Sequence, residues 1–207
     1  PANDKHFFFL HGYRVNGEDA RAAFAEVFKR MHQSGSNARF TGVTWYGNAS
    51  LGNDYWENVI HAFESSEALA NIIANNSEFA GTRTIVAHSL GNAVVSSAIV
   101  DHGLSVDAYC MMNAAVAKEA YDGLLTASEQ ALMLNSVWEH PTEGLYDWRY
   151  WASHWHILFK SGGSPFGSSL DERSQLTWRS RFGIIPQSYN FYSETENVLD
   201  NSTGANP

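Results

Sequence analysis

The chain predicts an α/β fold with a doubly wound, mostly parallel sheet, and three observations lead there. Apolar runs of strand length recur at residues 6–10, 39–46, 83–88 and 106–112. Stretches long enough for helices, at 18–33, 55–75 and 90–101, separate them. Strands and helices that alternate in this way bury their apolar faces by laying helices on both sides of a parallel sheet.

The first run, His6-Phe7-Phe8-Phe9-Leu10, is continuously apolar rather than alternating, as a strand covered on both faces must be. It ends in His11-Gly12-Tyr13, and a helix follows from about Glu18 to Met31. Arg39-Phe40-Thr41-Gly42-Val43-Thr44-Trp45-Tyr46 forms the next strand, and a helix from about Tyr55 to Asn75 comes after it. Gln187-Ser188-Tyr189-Asn190-Phe191-Tyr192 supplies a last strand far downstream.

Between the second helix and the fourth strand lies the most informative segment, Arg83-Thr84-Ile85-Val86-Ala87-His88-Ser89-Leu90-Gly91-Asn92-Ala93-Val94-Val95. A β-branched strand runs through a serine into a helix, with small residues two positions before and after it. This is the pattern of a nucleophile elbow, whose turn is so tight that only small neighbours fit around a strained serine. It points to covalent acyl transfer by Ser89. The motif is Ala-x-Ser-x-Gly, so the first small position, Ala87, brings a methyl that the turn must accommodate. In the alternative reading Ser89 is a helix N-cap after a buried strand, and Gly91 is incidental.

With the His-Gly turn and the Ala-His-Ser-Leu-Gly segment in this order, the chain resembles the α/β-hydrolases, closest in motif style to bacterial lipases and esterases. The resemblance runs from about His6 to Leu199. It implies an oxyanion hole made by the backbone N–H groups of Tyr13, after the first strand, and Leu90, after the nucleophile. It also implies the chain order serine, acid, histidine. The family's acid loop commonly reads Gly-x-x-Asp followed by two apolar residues. Ser193-x-x-Glu196-Asn197-Val198-Leu199 is similar, with Ser for Gly and Glu for Asp, so Glu196 is the expected acid, with Glu194 and Asp200 behind it. Solvated carboxylates near a ragged C-terminus are the alternative.

No histidine follows Glu196 in the 207 residues. A serine hydroxyl needs a base to take its proton and a carboxylate to orient that base. The expectation is therefore that the C-terminal strand and its histidine loop lie outside this chain, that a complementary segment carries the base, and that the isolated chain is nearly inactive. Failing that, His154 or His156 would be the upstream base.

From about residue 117 to 186 the composition changes. Five of the seven tryptophans lie there, Trp138, Trp148, Trp151, Trp155 and Trp178, with Gly- and Ser-rich punctuation at Ser161-Gly162-Gly163-Ser164-Pro165 and Gly167-Ser168-Ser169. A structureless connection of that length is unusual, which predicts a cap of residues 117–186 inserted into a core of residues 1–116 and 187–207. Tryptophans suit the wall of an acyl pocket, although most of them serve equally well to anchor a cap. His154 and His156, two apart, raise a zinc site, but no third ligand cluster accompanies them. The reading needs neither a metal nor an organic cofactor.

Thirteen basic against twenty-two acidic side chains give a net charge of −9, which disfavours nucleic acid and anionic polymers as partners. No apolar run reaches the length of a membrane span. The single cysteine, Cys110, falls in the predicted strand at 106–112 and reads as core packing. His88 and His11 read as structural residues, the latter fixing the oxyanion turn. The compartment stays open, though modest Lys and Arg with many Asn, Ser and Gly lean towards an exported bacterial protein.

Together these features predict a serine hydrolase of a small uncharged or apolar carboxylic ester. The alternative is a catalytically silent protein of the same fold that binds an apolar ligand under the cap.

Overall fold

The computed structural model describes residues 4–48, 55–116 and 186–193. Its strands are β1 (Lys5–Leu10), β2 (Arg39–Val43), β3 (Thr82–His88), β4 (Ala108–Met112) and β5 (Gln187–Phe191). The helices are α1 (Gly17–Gln33), α2 (Tyr55–Asn75) and α3 (Gly91–Val100), and a short 3-10 turn spans Ser77–Phe79. The five strands pair in the order β2-β1-β3-β4-β5, every pair parallel.

The predicted doubly wound sheet follows from how β1 distributes its side chains. Successive residues of a strand face opposite sides. Phe9 meets Phe24 of α1 edge-to-face with ring centroids 6.1 Å apart, so this side of β1 lies under α1. Phe8 and Leu10, on the other side, border the same apolar space as Leu69 and Ile73 of α2 and Val94 of α3. Both faces are covered, which is why the run is apolar throughout rather than at alternate positions. Phe8, Leu10, Ile85 and Tyr109, from three adjacent strands, are wholly inaccessible and form the centre of the core.

Helix starts are set by local chemistry. Asn16 caps α1 by accepting from the N–H groups of Glu18 (2.8 Å) and Asp19 (2.9 Å), satisfying two of the amides a helix start leaves unpaired. Glu18 and Asp19 in the first turn, with Arg30 and His32 in the last, complement the helix dipole. α2 and α3 pack through small polar residues: Ser97 Oγ donates to Ser66 Oγ at 3.0 Å, with both residues buried.

The strand predicted over 39–46 ends at Val43 instead. Beyond it Trp45 turns out of the sheet to lie on His11, and its own N–H no longer serves the ladder. The strand predicted from residue 106 starts at Ala108, because Asp107 is used to tie the start of β3. Its N–H bonds the Arg83 carbonyl at 2.9 Å and its Oδ2 accepts from the Arg83 N–H at 2.7 Å.

By internal contacts the chain divides into Pro1–Val116 with Ile184–Glu196, and Ala117–Gly183 with Asn197–Pro207. The first unit contains every described residue. All of the predicted cap of residues 117–186 but its last residue, with its tryptophans, His154 and His156, lies outside the described residues, as do the acid candidates Glu194, Glu196 and Asp200. No helix among the described residues is long and apolar enough to cross a membrane.

Candidate functional site

Strained backbone marks one rim of the sheet. Among the described residues, three that are not glycine have positive φ: Arg14 (57°), Ser89 (50°) and Asn113 (42°). They follow β1, β3 and β4, three neighbouring strands, so all three lie at the carboxyl edge of the sheet. A left-handed conformation costs an L-residue about 1–2 kcal/mol, and such residues gather where function requires a special geometry. The carboxyl edge is also where open α/β sheets bind ligands.

Ser89 and Leu90 link the end of β3 to the start of α3, and Ser89 is half-buried while His88 before it is exposed. Its N–H donates to the Met112 carbonyl at 2.9 Å, which carries the β3–β4 ladder one residue past the end of the strand. Its carbonyl accepts from the N–H of Asn92 (3.1 Å), opening the helix, and from that of Ala115 (3.2 Å), in the loop after β4. The turn is thus held from both sides.

The turn after β1 presses against it. A methyl built on Gly12 would come within 2.8 Å of the Ser89 Cβ and 3.0 Å of His88 Nδ1. A methyl on Gly91 would run into the carbonyl oxygen of His11. The two glycines therefore let backbone touch backbone, and the sequence-predicted partners meet here: the His11-Gly12-Tyr13 turn lies beside Ser89-Leu90. Leu90 itself is wholly buried and its N–H has no hydrogen-bond acceptor among the described residues. Tyr13 is half-buried next to Gly12.

His11 holds the first turn in place. Its Nδ1–H donates to the Gly12 carbonyl at 2.9 Å, leaving Nε2 to accept a long bond from the Trp45 N–H at 3.4 Å. The Trp45 indole stacks on the imidazole, 15° from parallel, and its Nε1–H donates to the His11 carbonyl at 2.8 Å. Burial holds the imidazole below its ordinary value of 6.5, against the smaller opposing effect of the Gly12 bond. In the window between that lowered value and 6.5 the unfolded chain binds more protons than the folded one, so stability falls as pH drops through it. The thermal midpoint is expected to decline on acidification below about pH 6.5, more steeply in the wild type than in His11→Asn. Parallel curves would remove His11 from this role.

Cys110 is half-buried, and desolvation raises its thiol above the ordinary value, which keeps it a protonated packing group. An apolar cavity of about 220 Å³ lies between α2 and the sheet, bordered by Leu10, Val43, Trp45, Leu69 and Val94. Among the described residues no cluster of three metal-ligating side chains occurs.

Sequence reasoning did not single out Trp45, Asn92 or Tyr109. Asn92 is fully buried in the first turn of α3, where an unsatisfied amide would be costly, and that burial shows only in the structure.

A family model described as "Alpha/beta hydrolase of unknown function (DUF900)" matches residues 2–119, more than half of the chain. Among solved structures, an uncharacterized protein from Bacillus cereus ATCC 10987 is similar at 17% identity and a TM-score of 0.40, over 64% of this chain and 39% of that one. A variant of PytH is similar at 18% identity and a TM-score of 0.38, over 59% of this chain and 46% of that one. The chain thus spans less than half the length of either. A search of the curated proteins finds no match. By the match over residues 2–119 and the parallel sheet described above, the chain belongs to the DUF900 family of α/β-hydrolases.

Proposed function

We propose that the protein is a serine hydrolase of small, uncharged or apolar carboxylic esters, with Ser89 as nucleophile. The observation that carries this reading is Ser89 at φ 50° between β3 and α3, with the Gly12 turn packed directly on it. A strained serine beside two backbone turns has its hydroxyl presented to a substrate and N–H groups within reach of a developing oxyanion.

In the proposed reaction Ser89 Oγ attacks the ester carbonyl carbon while a base takes its proton, and the carbonyl electrons move to oxygen. The N–H groups of Tyr13 and Leu90 stabilise that oxyanion. Collapse expels the alcohol, which receives the proton from the base, and water then attacks the acyl-enzyme to release the carboxylic acid and regenerate Ser89. Glu196 is the proposed acid that orients the base. His11 is unsuited to be that base, since both ring nitrogens are engaged by Gly12 and Trp45. The base is proposed to be a histidine on a complementary segment, with His154 or His156 in second place. The apolar cavity beginning at Leu10 and Trp45, next to His11, supports an apolar acyl group.

The test uses the full-length natural protein with a fluorophosphonate probe and a panel of neutral p-nitrophenyl esters. One adduct, mapped to Ser89, together with ester turnover is the expected result. Reversible binding of apolar ligands with no adduct at Ser89 would instead identify a silent binding protein.

A further inference from the structure

The left-handed conformation of Ser89 needs something to hold it, and the backbone bonds around it do not complete the account. Asn92, the second residue of α3, sends its side chain back to the turn. Its Nδ2 donates to the carbonyl of Ala87 at 3.1 Å and to that of Ser89 at 2.8 Å. One amide group thus grips the chain on both sides of the strained step, at the end of the strand and at the serine itself. The Oδ1 of the same side chain accepts from the Tyr109 hydroxyl of β4 at 2.8 Å, and that hydroxyl also lies 3.3 Å from the Asn92 carbonyl. Both residues are wholly buried.

The chemistry explains why these two residue types are present. Two carbonyl oxygens converging on one point require a group with two N–H donors, and a primary amide is the neutral side chain that supplies them. The remaining amide oxygen is buried and needs a donor, which Tyr109 provides from the neighbouring strand. An amide free to flip would turn its oxygen towards two carbonyls. The Tyr109 hydroxyl, bonding Oδ1, fixes the orientation in which Nδ2 faces them. The pair therefore connects β3, the serine, α3 and β4 through one buried network.

We infer that Asn92 is a positioning residue for Ser89, its amide oriented by Tyr109, and that it holds the serine in the left-handed conformation from which it attacks. The inference rests on the reading of Ser89 as nucleophile.

The experiment measures saturable fluorophosphonate labelling of Ser89 in the full-length protein, separating the maximal rate kinact from the half-saturating concentration KI, each corrected for the folded fraction. Asn92→Ala and the isosteric Tyr109→Phe are compared with Ser97→Ala, a buried α3 residue bonded to Ser66 and Asp101 and removed from the turn. Misplacing a reacting group by a fraction of an ångström to 1 Å costs up to about 100-fold, so kinact is expected to fall about 10- to 100-fold in Asn92→Ala. In Tyr109→Phe, which keeps Asn92 but not its orientation, a smaller fall of about 3-fold or more is expected. KI should stay near the wild-type value in both, and Ser97→Ala should lower the thermal midpoint with kinact unchanged.

If Asn92→Ala does not fold, Tyr109→Phe alone decides, because it removes one hydroxyl and no volume from the backbone contacts. Wild-type kinact in the folded Tyr109→Phe protein, or a loss of the same size in Ser97→Ala, would overturn the inference while leaving Ser89 as nucleophile. Absence of Ser89 labelling in the wild type would overturn both.

Discussion

Ser89→Ala is expected to lower ester turnover by about three to six orders of magnitude, the range over which nucleophile removal acts in serine hydrolases. Folding stability should move by only about 0.5 kcal/mol, because a half-buried hydroxyl at the rim contributes little and alanine tolerates the left-handed conformation about as poorly as serine does. The measurement is turnover of the best neutral ester beside a urea unfolding curve on the same preparation. Activity within tenfold of the wild type would exclude Ser89 as the attacking group.

The second large effect belongs to a residue that does no chemistry. Gly91→Val places a branched side chain where even a methyl meets the His11 carbonyl oxygen, and that oxygen belongs to backbone already held by Trp45 Nε1. Neither partner is the flexible end of a side chain, so the two turns must separate. A loss of about 2–3 kcal/mol in stability is expected, together with a fall in Ser89 labelling in whatever remains folded. Gly17→Ala is the comparison: its nearest neighbour would be the Arg21 guanidinium at 3.8 Å, and alanine is the better helix former, so unfolding should be unchanged or slightly delayed. Equal curves for the two variants would show that the contact between the turns is not under the restraint described.

The order of strands and helices was legible because each strand carries its own label. Phe7-Phe8-Phe9-Leu10 and Ile85-Val86-Ala87 are apolar on both faces, and no helix pattern competes for them. The turn at Ser89 was legible for a related reason: small residues at fixed spacing between a strand and a helix have few other uses. Trp45 was hidden by its surroundings, since an aromatic residue after Val43 continues a strand pattern equally well whether it stays in the sheet or leaves it to stack on His11. Asn92 and Tyr109 were hidden because their meaning is mutual. A polar residue in the first turn of a helix usually faces water, and a tyrosine in a strand usually fills the core. Only the pairing of the two strands across the Val86–Cys110 register puts the hydroxyl next to the amide.

Glu196 belongs to another kind of difficulty: its role was proposed from the family's acid loop, and it lies outside the described residues. The Tyr13 and Leu90 amides stand between these cases. Their neighbourhood is visible, and their part in an oxyanion hole is proposed.

The strand order also bears on how the molecule is assembled in time. β1 pairs on both sides, with β2 and with β3, and β4 joins β3 after one helix, so four strands find their partners within the first 112 residues. β5 must instead return from Gln187 to pair with the segment ending at Met112. Closing that longer excursion costs about 1 kcal/mol more in chain entropy than closing the β3–β4 connection. Non-local pairing of this kind is gained late, after nearby contacts have formed. The serine and the two amides therefore lie among the strands paired within the first 112 residues, whereas Glu196 comes after the strand paired across the longest separation. A polypeptide emerging from the ribosome would carry the shaped turn at Ser89 before it carried the carboxylate proposed to act with it.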